Sequence, residues 1–282
     1  MRSDSAEVWN TCATGAAANG PPGNHHVSPV YAPPMFLNAR LGIATALMVG
    51  ALLAGCGGGN PYQGLDADAL FRLAENELME EEYDNAIRAL DRFLLAFGDS
   101  DRVPQARLML ADAYFSQKEY LTARTEYQRF LDRYAANPAA PQAALGVCRS
   151  LAAMSPTAPR DQTYTQEGVN ICRNVIVDFA GTPESLEAAE LSAGMRETLA
   201  EKEYLNGDFY LRRKLYDSAI KYFEFVTSSY SDTGFAPKAL LGIYHANQAI
   251  GYEDLAEEAR EQLLSQYPDS EAAAELRSGS GA

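Results

Sequence analysis

From Asp68 onward, apolar and polar positions alternate with the helical period, and the periodic runs come in pairs. Three segments align without gaps: Glu82-Tyr83-Asp84-Asn85-Ala86-Ile87, Glu119-Tyr120-Leu121-Thr122-Ala123-Arg124 and Leu215-Tyr216-Asp217-Ser218-Ala219-Ile220. Eleven residues after each alanine stands an aromatic ahead of a turn: Phe97, Tyr134 and Tyr230. Ala256 and Tyr267 repeat the interval. Twelve residues before the alanine is a small residue in three copies, Ala74, Ala111 and Gly207; the last copy has Tyr244 there. Small residues let two antiparallel helices approach closely, and the aromatic fills the gap beneath the next helix. One such pair buries little, so the pairs must stack. The pattern predicts an all-α, helical-pair solenoid of five repeats.

The spacing of the aromatics locates the irregularities. Phe97 to Tyr134 and Tyr230 to Tyr267 are each 37 residues. Tyr134 to Phe179 is 45, with eight extra residues in Ser155–Gln162, whose prolines predict a loop. This third copy is degenerate, with Gly168 at the alanine position and helices near Pro141–Met154 and Thr165–Phe179. Phe179 to Tyr230 is 51 residues. The fourteen extra residues hold no proline or loop cluster and amount to about four helical turns, which predicts one long helix over Glu184–Arg213. Pro104 and Pro141 open matching Pro-Gln-Ala helix starts. The repeats resemble tetratricopeptide repeats, stretched beyond their usual length. The expected division is 68–139 for repeats one and two, 140–182 for three, 183–236 for four, 237–275 for five, and 276–282 as a disordered tail.

Ahead of the repeats, Arg40 precedes thirteen apolar residues, Leu41–Leu53, and then Ala54-Gly55-Cys56. A span needs roughly 20 apolar residues, so a transmembrane anchor is disfavoured. Short basic lead, apolar run, small residues and cysteine resemble the lipobox of bacterial lipoproteins, here Leu53, Ala54, Gly55 and Cys56. In that class the cysteine carries lipid, palmitate included, and becomes the first mature residue. Residues 35–55 are therefore expected to be the signal peptide, starting naturally at Met35, and 56–67 the lipidated cysteine and a flexible, glycine-rich tether. Residues 1–34 have no periodicity and read as a disordered extension from a mis-assigned start; His25 and His26 lack partners at ligand spacing.

Net charge is −15, and the first 55 residues balance Arg2 and Arg40 against Asp4 and Glu7. An acidic chain without a basic tract does not suit nucleic acid or anionic lipid, so lipid on Cys56 must supply the membrane contact. Cys148 and Cys172 fit no metal or redox spacing and read as two buried small side chains in preference to a disulfide, which an exported chain also permits. No catalytic constellation, phosphate loop or metal motif is present; His245 is the one histidine of the repeats and is expected to be structural. No enzyme, metal or cofactor is expected.

A solenoid offers a concave groove instead. The repeat register projects Phe71, Glu75 and Leu78 into it, then Leu108, Asp112 and Phe115, with Arg149 equivalent to Asp112. These residues suit an extended peptide whose carboxylate meets Arg149. The competing expectation is that the aromatics are core and that Arg149 bridges Glu75 or Asp112. Arg212-Arg213-Lys214 is the one basic cluster of the body, suited to an acidic partner or to the C-terminal dipole of the long helix.

Together, the lipobox, Asn60-Pro61-Tyr62, the uneven five repeats, Arg160-Asp161-Gln162 and Leu199–Tyr204 resemble the BamD family, lipoproteins of the outer-membrane β-barrel assembly machinery. The resemblance covers about Asn60–Ala273. It implies a non-enzymatic subunit, lipid-anchored in the outer membrane and facing the periplasm. Family members bind the periplasmic repeat domains of the central barrel-assembly protein through C-terminal repeats, and N-terminal repeats receive unfolded outer-membrane proteins. That places the partner near Leu199–Tyr267, where Lys221-Tyr222 departs from an arginine common in relatives at the Tyr222 position. Gly57 replaces the aspartate of the family's inner-membrane retention signal. A different repeat lipoprotein, an adaptor for secretin or pilus assembly or for cell-wall enzymes, is the alternative.

Overall fold

The computed structural model describes residues 62–279; Cys56, the lipobox, the two leader histidines and the start at Met35 lie outside the described residues. Among the described residues are eleven α-helices and no strand. Five antiparallel pairs follow one another: α1 (Ala67–Met79) with α2 (Tyr83–Ala96), α3 (Val103–Ser116) with α4 (Tyr120–Tyr134), α5 (Ala140–Met154) with α6 (Thr163–Asp178), α7 (Pro183–Arg212) with α8 (Tyr216–Ser229), and α9 (Phe235–Ile250) with α10 (Glu253–Gln266). A last helix, α11 (Glu271–Gly279), packs on α9 and α10. This is the tetratricopeptide-like solenoid that the periodicity predicts.

Each helix packs on its neighbours in sequence, and α3–α5, α5–α7 and α7–α9 also touch. No second helix packs comparably on the second helix of the next repeat. The first helices therefore line the inner, concave side.

The turn inside the repeat is built the same way four times. Glu81, Lys118, Lys214 and Gly251 have φ of 60°, 66°, 61° and 85°. The following amide reaches back five residues, as Glu82 N to Glu77 O (2.8 Å) and Leu215 N to Tyr210 O (3.0 Å). This is a Schellman closure, in which a left-handed residue ends the helix and satisfies its last carbonyls. Three of the four are not glycine, and that costs about 1 kcal/mol each. The aromatics close the second helices: Phe97, Phe179, Tyr230 and Tyr267 cap α2, α6, α8 and α10 through their own amides.

Packing within a repeat depends on the residue four beyond the signature alanine. Phe223 is buried, and a Cβ on Gly207 of α7 would lie 2.5 Å from its ring. A Cβ on Gly242 of α9 would also lie 2.5 Å from that ring. Tyr127 uses Gly146 of α5 in the same way, at 2.5 Å. Where the ring is replaced by Leu90, the facing glycine is replaced by Met109, and both join one core cluster. Volume is conserved across the repeat interface, as close packing demands.

The third repeat differs. Cys148 stands 37 residues after Ala111, at the small position, and Cys172 stands four after Gly168, at the ring position. They form a disulfide, with Cα atoms 5.1 Å apart. The expectation of two free buried thiols is thereby corrected. The preference for burial is right, since both are 0% exposed, but the two positions face each other wherever α5-type and α6-type helices cross. Sequence spacing alone, at 24 residues, does not reveal that contact.

The long helix α7 serves two repeats. Its first part packs on α5 and α6, and its second on α8 and α9. Met195 fills the space above Gly168. Gly207, twelve residues on, receives Phe223. At about 1.5 Å per residue these two contacts are about 18 Å apart, so the helix spans the step between repeats three and four. Thr182 caps it by accepting from Ser185 N (3.2 Å), and Pro183 opens the first turn.

Two boundaries move. Tyr62, expected in the tether, is buried on the first core cluster and its hydroxyl faces Asn85 O at 3.4 Å. The tail expected from 276 is helical to Gly279, because Leu276 is buried against α9 and α10 neighbours such as Leu263. The insert at 155–162 is ordered by Gln162, 2% exposed, whose amide donates to Thr157 O at 2.9 Å and to Ala158 O and Arg160 O at 3.3 Å.

Candidate interaction surfaces

The seven residues projected into the groove divide between core and surface. Phe71 is 1% exposed and meets Phe93 edge-on, with centroids 5.4 Å apart. It is core and not groove lining. Leu108 is buried with α4 and α5, and Leu78 and Phe115 are partly buried against core clusters; Phe115 tilts against Tyr120 at 5.3 Å. Aromatics at helical spacing have gone inside, as hydrophobic burial favours. Glu75 stays half-buried on α1.

Asp112 and Arg149 do come together on the concave side, with partners that the sequence did not name. The Tyr127 hydroxyl donates to Asp112 Oδ1 at 2.5 Å, and Gln142 Nε2 approaches Oδ2 at 3.5 Å. Burial pushes the Asp112 carboxyl up, while the Tyr127 bond and nearby Arg149 pull it back. Burial, with Asp112 beside it, pushes the Tyr127 phenol well up. Arg149 forks onto both oxygens of Glu187 on α7, through Nε and a terminal nitrogen. The expected bridge to Glu75 or Asp112 is corrected: the step along α7 brings Glu187 closer. Arg149 hydrogen bonds hold the Glu187 carboxyl below the usual carboxylate range.

A second polar cluster escaped the sequence reading. Glu126 on α4 is 7% exposed, and its carboxylate pairs with Arg129 and, at 3.8 Å, with Arg107 of α3. Burial, then the Glu126 charge, pushes Asp91 up. Its signal was weak because an acidic residue inside a helix normally marks a solvated face.

At the other end, the basic cluster is partly self-satisfied. Arg212 pairs with Asp208 one turn back at 2.5 Å, and the Arg213 guanidinium lies 3.9 Å from the Phe209 ring centroid. Lys214 occupies the left-handed turn, and Lys221 is exposed on α8. Tyr222 stacks on Tyr210 of α7, with centroids 5.4 Å apart and planes 10° apart. Two hollows flank this stack. One, of about 520 Å³, is lined by Glu203, Tyr210, Ser218, Lys221, Tyr222 and Phe225. The other, of about 400 Å³, includes Pro159, Lys202, Leu205, Phe209 and Arg212.

His245 is exposed beside Tyr244, with ring centroids 5.2 Å apart. No group of three or more potential metal ligands occurs among the described residues, and no helix among them is long and apolar enough to cross a membrane.

Stacked helix pairs with a polar inner face and an exposed aromatic patch define a tetratricopeptide-like repeat scaffold. The sequence profile of the outer membrane lipoprotein family YfiO matches residues 64–263, and the chain belongs to that family. It is 24% identical over 230 residues to the outer membrane protein assembly factor BamD of Rickettsia prowazekii, covering 81% of this chain and 92% of that one. It is likewise 24% identical over 216 residues to the BamD of Caulobacter vibrioides, covering 75% and 71%. Among solved structures, a Podosopora anserina putative kinesin light chain with TPR-like repeats is similar over 71% of this chain and 93% of its own, with a TM-score of 0.36 and 16% identity.

Proposed function

We propose that this chain is a non-enzymatic, lipid-anchored scaffold in the assembly of outer-membrane β-barrel proteins. The observation that carries the reading is the family match over 64–263, which takes in the insert, the long helix and four of the five repeats in full. The lipobox ending at Cys56 supports an anchor in the outer membrane with the repeats facing the periplasm. A buried disulfide in the third repeat is in keeping with an oxidising compartment. The N-terminal repeats receive unfolded outer-membrane proteins on the concave side near Asp112 and Arg149, and the C-terminal repeats bind the barrel-assembly protein with periplasmic repeat domains. Binding needs no cofactor beyond the lipid on Cys56.

The test is purification of the tagged full-length chain from gently solubilised membranes, with and without Cys56→Ser. A large β-barrel protein with periplasmic repeat domains is expected to co-purify, and the substituted chain is expected to leave the membrane fraction. Recovery of a secretin, pilus or cell-wall component in its place would overturn the assembly reading. A Cys56→Ser chain that stays in the membrane would overturn the anchor.

A further inference from the structure

The outer crevices between successive repeats are not filled alike. Three residues beyond the small position of the first helix, repeats two, three and four carry Tyr114, Leu151 and Tyr210, large side chains packed with the core clusters. The fifth repeat has Asn247 there. A hollow of about 240 Å³ is left, with α8 and α10 as its walls and Leu240, Ile243 and Asn247 of α9 as its floor. Asn247 is 3% exposed, and its side-chain amide has no hydrogen-bond partner among the described residues. A buried amide open to a cavity costs stability unless something from outside satisfies it. We infer that the hollow is a socket for one arginine side chain presented by another protein, with the guanidinium against Glu224, Glu258 and the Asn247 carbonyl. The socket is defined by residues of this chain alone and does not depend on the assembly reading.

The other crevices show what belongs there. Between repeats one and two, Arg107 and Arg129 hold the buried Glu126. Between repeats two and three, Arg124 of α4 pairs with Glu167 of α6. In each, a guanidinium of the chain itself lies against a carboxylate. In the last crevice the repeat register puts Leu240, Ala259 and Gln262 where the first has Arg107, Glu126 and Arg129, and puts Ile220 and Leu255 where the second has Arg124 and Glu167. The internal cation is gone. Two carboxylates still line the hollow, Glu224 and Glu258, and neither is in an ion pair among the described residues. Glu258 is approached by Gln262 Nε2 at 3.4 Å.

Charge and size select the occupant. Helices α8 and α10 together hold seven carboxylates against two cations, Lys221 and Arg260. Arg260 is paired with Glu257 at 2.7 Å, and Lys221 lines the hollow on the other face of α8. An entering guanidinium meets two carboxylates and an amide acceptor, a set that uses its fork of five donors better than the point charge of an ammonium. Leu240 and Ile243, 2% and 8% exposed, suit the aliphatic stem. Pockets for free small molecules usually hold roughly 300–1,000 Å³, and this smaller hollow fits a single side chain.

The experiment titrates the full-length chain, in detergent and labelled with ¹⁵N-asparagine, with acetyl-arginine amide. Acetyl-citrulline amide, the neutral isostere, and spermidine are the comparisons. The arginine derivative is expected to shift the Asn247 side-chain amide resonances saturably, with an affinity at least about tenfold above that of citrulline. Glu224→Gln with Glu258→Gln, at exposed positions, is expected to remove the preference. Asn247→Leu fills the hollow as Leu151 fills its own crevice. Followed by the Leu255 methyl resonances, that variant is expected to lose binding while its unfolding midpoint holds or rises. Equal binding of the arginine and citrulline derivatives, or binding that survives both variants, would overturn the socket. A lowered midpoint in Asn247→Leu would do the same, since the amide would then be structural. Spermidine binding more tightly than the arginine derivative would overturn the assignment to a protein side chain. Which protein co-purifies with the chain is unaffected by any of these outcomes, so the assembly reading stands or falls separately.

Discussion

Cys148 and Cys172 are bonded at the crossing of α5 and α6, in the positions that Gly207 and Phe223 occupy in the next repeat. One repeat fills the crossing with a ring, the other with a covalent bridge. Closing a loop of this length is worth about 3 kcal/mol through the unfolded chain. Reduction, or Cys148→Ala with Cys172→Ala, is therefore expected to lower the free energy of unfolding by that order and to move the urea midpoint down accordingly. Peptide mapping without reductant should recover the two cysteines joined. An unchanged urea midpoint after full reduction would show that burial alone holds the crossing.

Phe223 has no room to move, since Gly207 and Gly242 bound its ring on both sides. Gly207→Ala and Gly242→Ala are each expected to cost about 1–3 kcal/mol by overpacking, and Gly207→Leu more. Phe223→Leu should recover part of the loss in the Gly207→Ala background, because it vacates the space that the new methyl needs. Gly194→Ala is the contrasting case: it lies in the same helix with nothing near its added Cβ, and a gain of up to about 1 kcal/mol is expected from helix propensity. Urea denaturation of the five variants checks the ordering.

The repeat logic was legible in the chain because it is written in volumes at fixed spacing. Ala74, Ala111 and Gly207 gave the crossings, and the 51-residue interval from Phe179 to Tyr230 gave α7 almost to the residue. What the register could not give was which groups meet across a step of altered size. The register puts Arg149 on a first helix beside Asp112, but its partner Glu187 depends on how α7 runs past α5. Phe71 and Leu108 have helical spacing in common with groove residues, and only packing separates inside from surface. The cysteine pair was hidden for the same reason: the eight-residue insert shifts Cys148 out of the simple register with Gly168.

Arg196 ties the middle of α7 to the end of α8. It donates to both oxygens of Asp232 and, at 2.8 Å, to Ser229 O, and its guanidinium lies 5.3 Å from the Tyr230 ring centroid. Its hydrogen bonds hold the Asp232 carboxyl below the ordinary value. A carboxyl lowered on folding stabilises above its unfolded value of about 4 and loses that effect as pH falls through the lowered value. Arg196→Met is expected to cost about 1 kcal/mol at neutral pH, after allowance for solvent around Asp232, and less at an acid pH where Asp232 is protonated and only the Ser229 and Tyr230 contacts of Arg196 remain. Thermal melts at the two pH values check it. Arg196→Lys should recover little, since an ammonium cannot span three acceptors in a plane.

On the concave side, the same kind of fork controls access to a cation. Arg149 is engaged by Glu187, so a peptide carboxylate must displace Glu187 to reach it. Glu187→Gln weakens that internal competitor while leaving Arg149 charged. If the groove takes a C-terminal carboxylate, Glu187→Gln is expected to tighten binding of a free-acid decapeptide about fivefold, the equivalent of about 1 kcal/mol, and to leave its amidated form unchanged. Arg149→Ala should remove the difference between acid and amide altogether. Stability should move by less than about 1 kcal/mol in both variants, since each partner is about two-fifths exposed. Asp112 supplies an independent check. Burial raises its carboxyl, so it gains a proton while peptide carboxylates remain ionised as pH falls. Repulsion toward the peptide then disappears, and free-acid binding should strengthen on mild acidification in wild type but not in Asp112→Asn. Binding that ignores Arg149, Glu187 and Asp112 alike would move the substrate off this part of the groove.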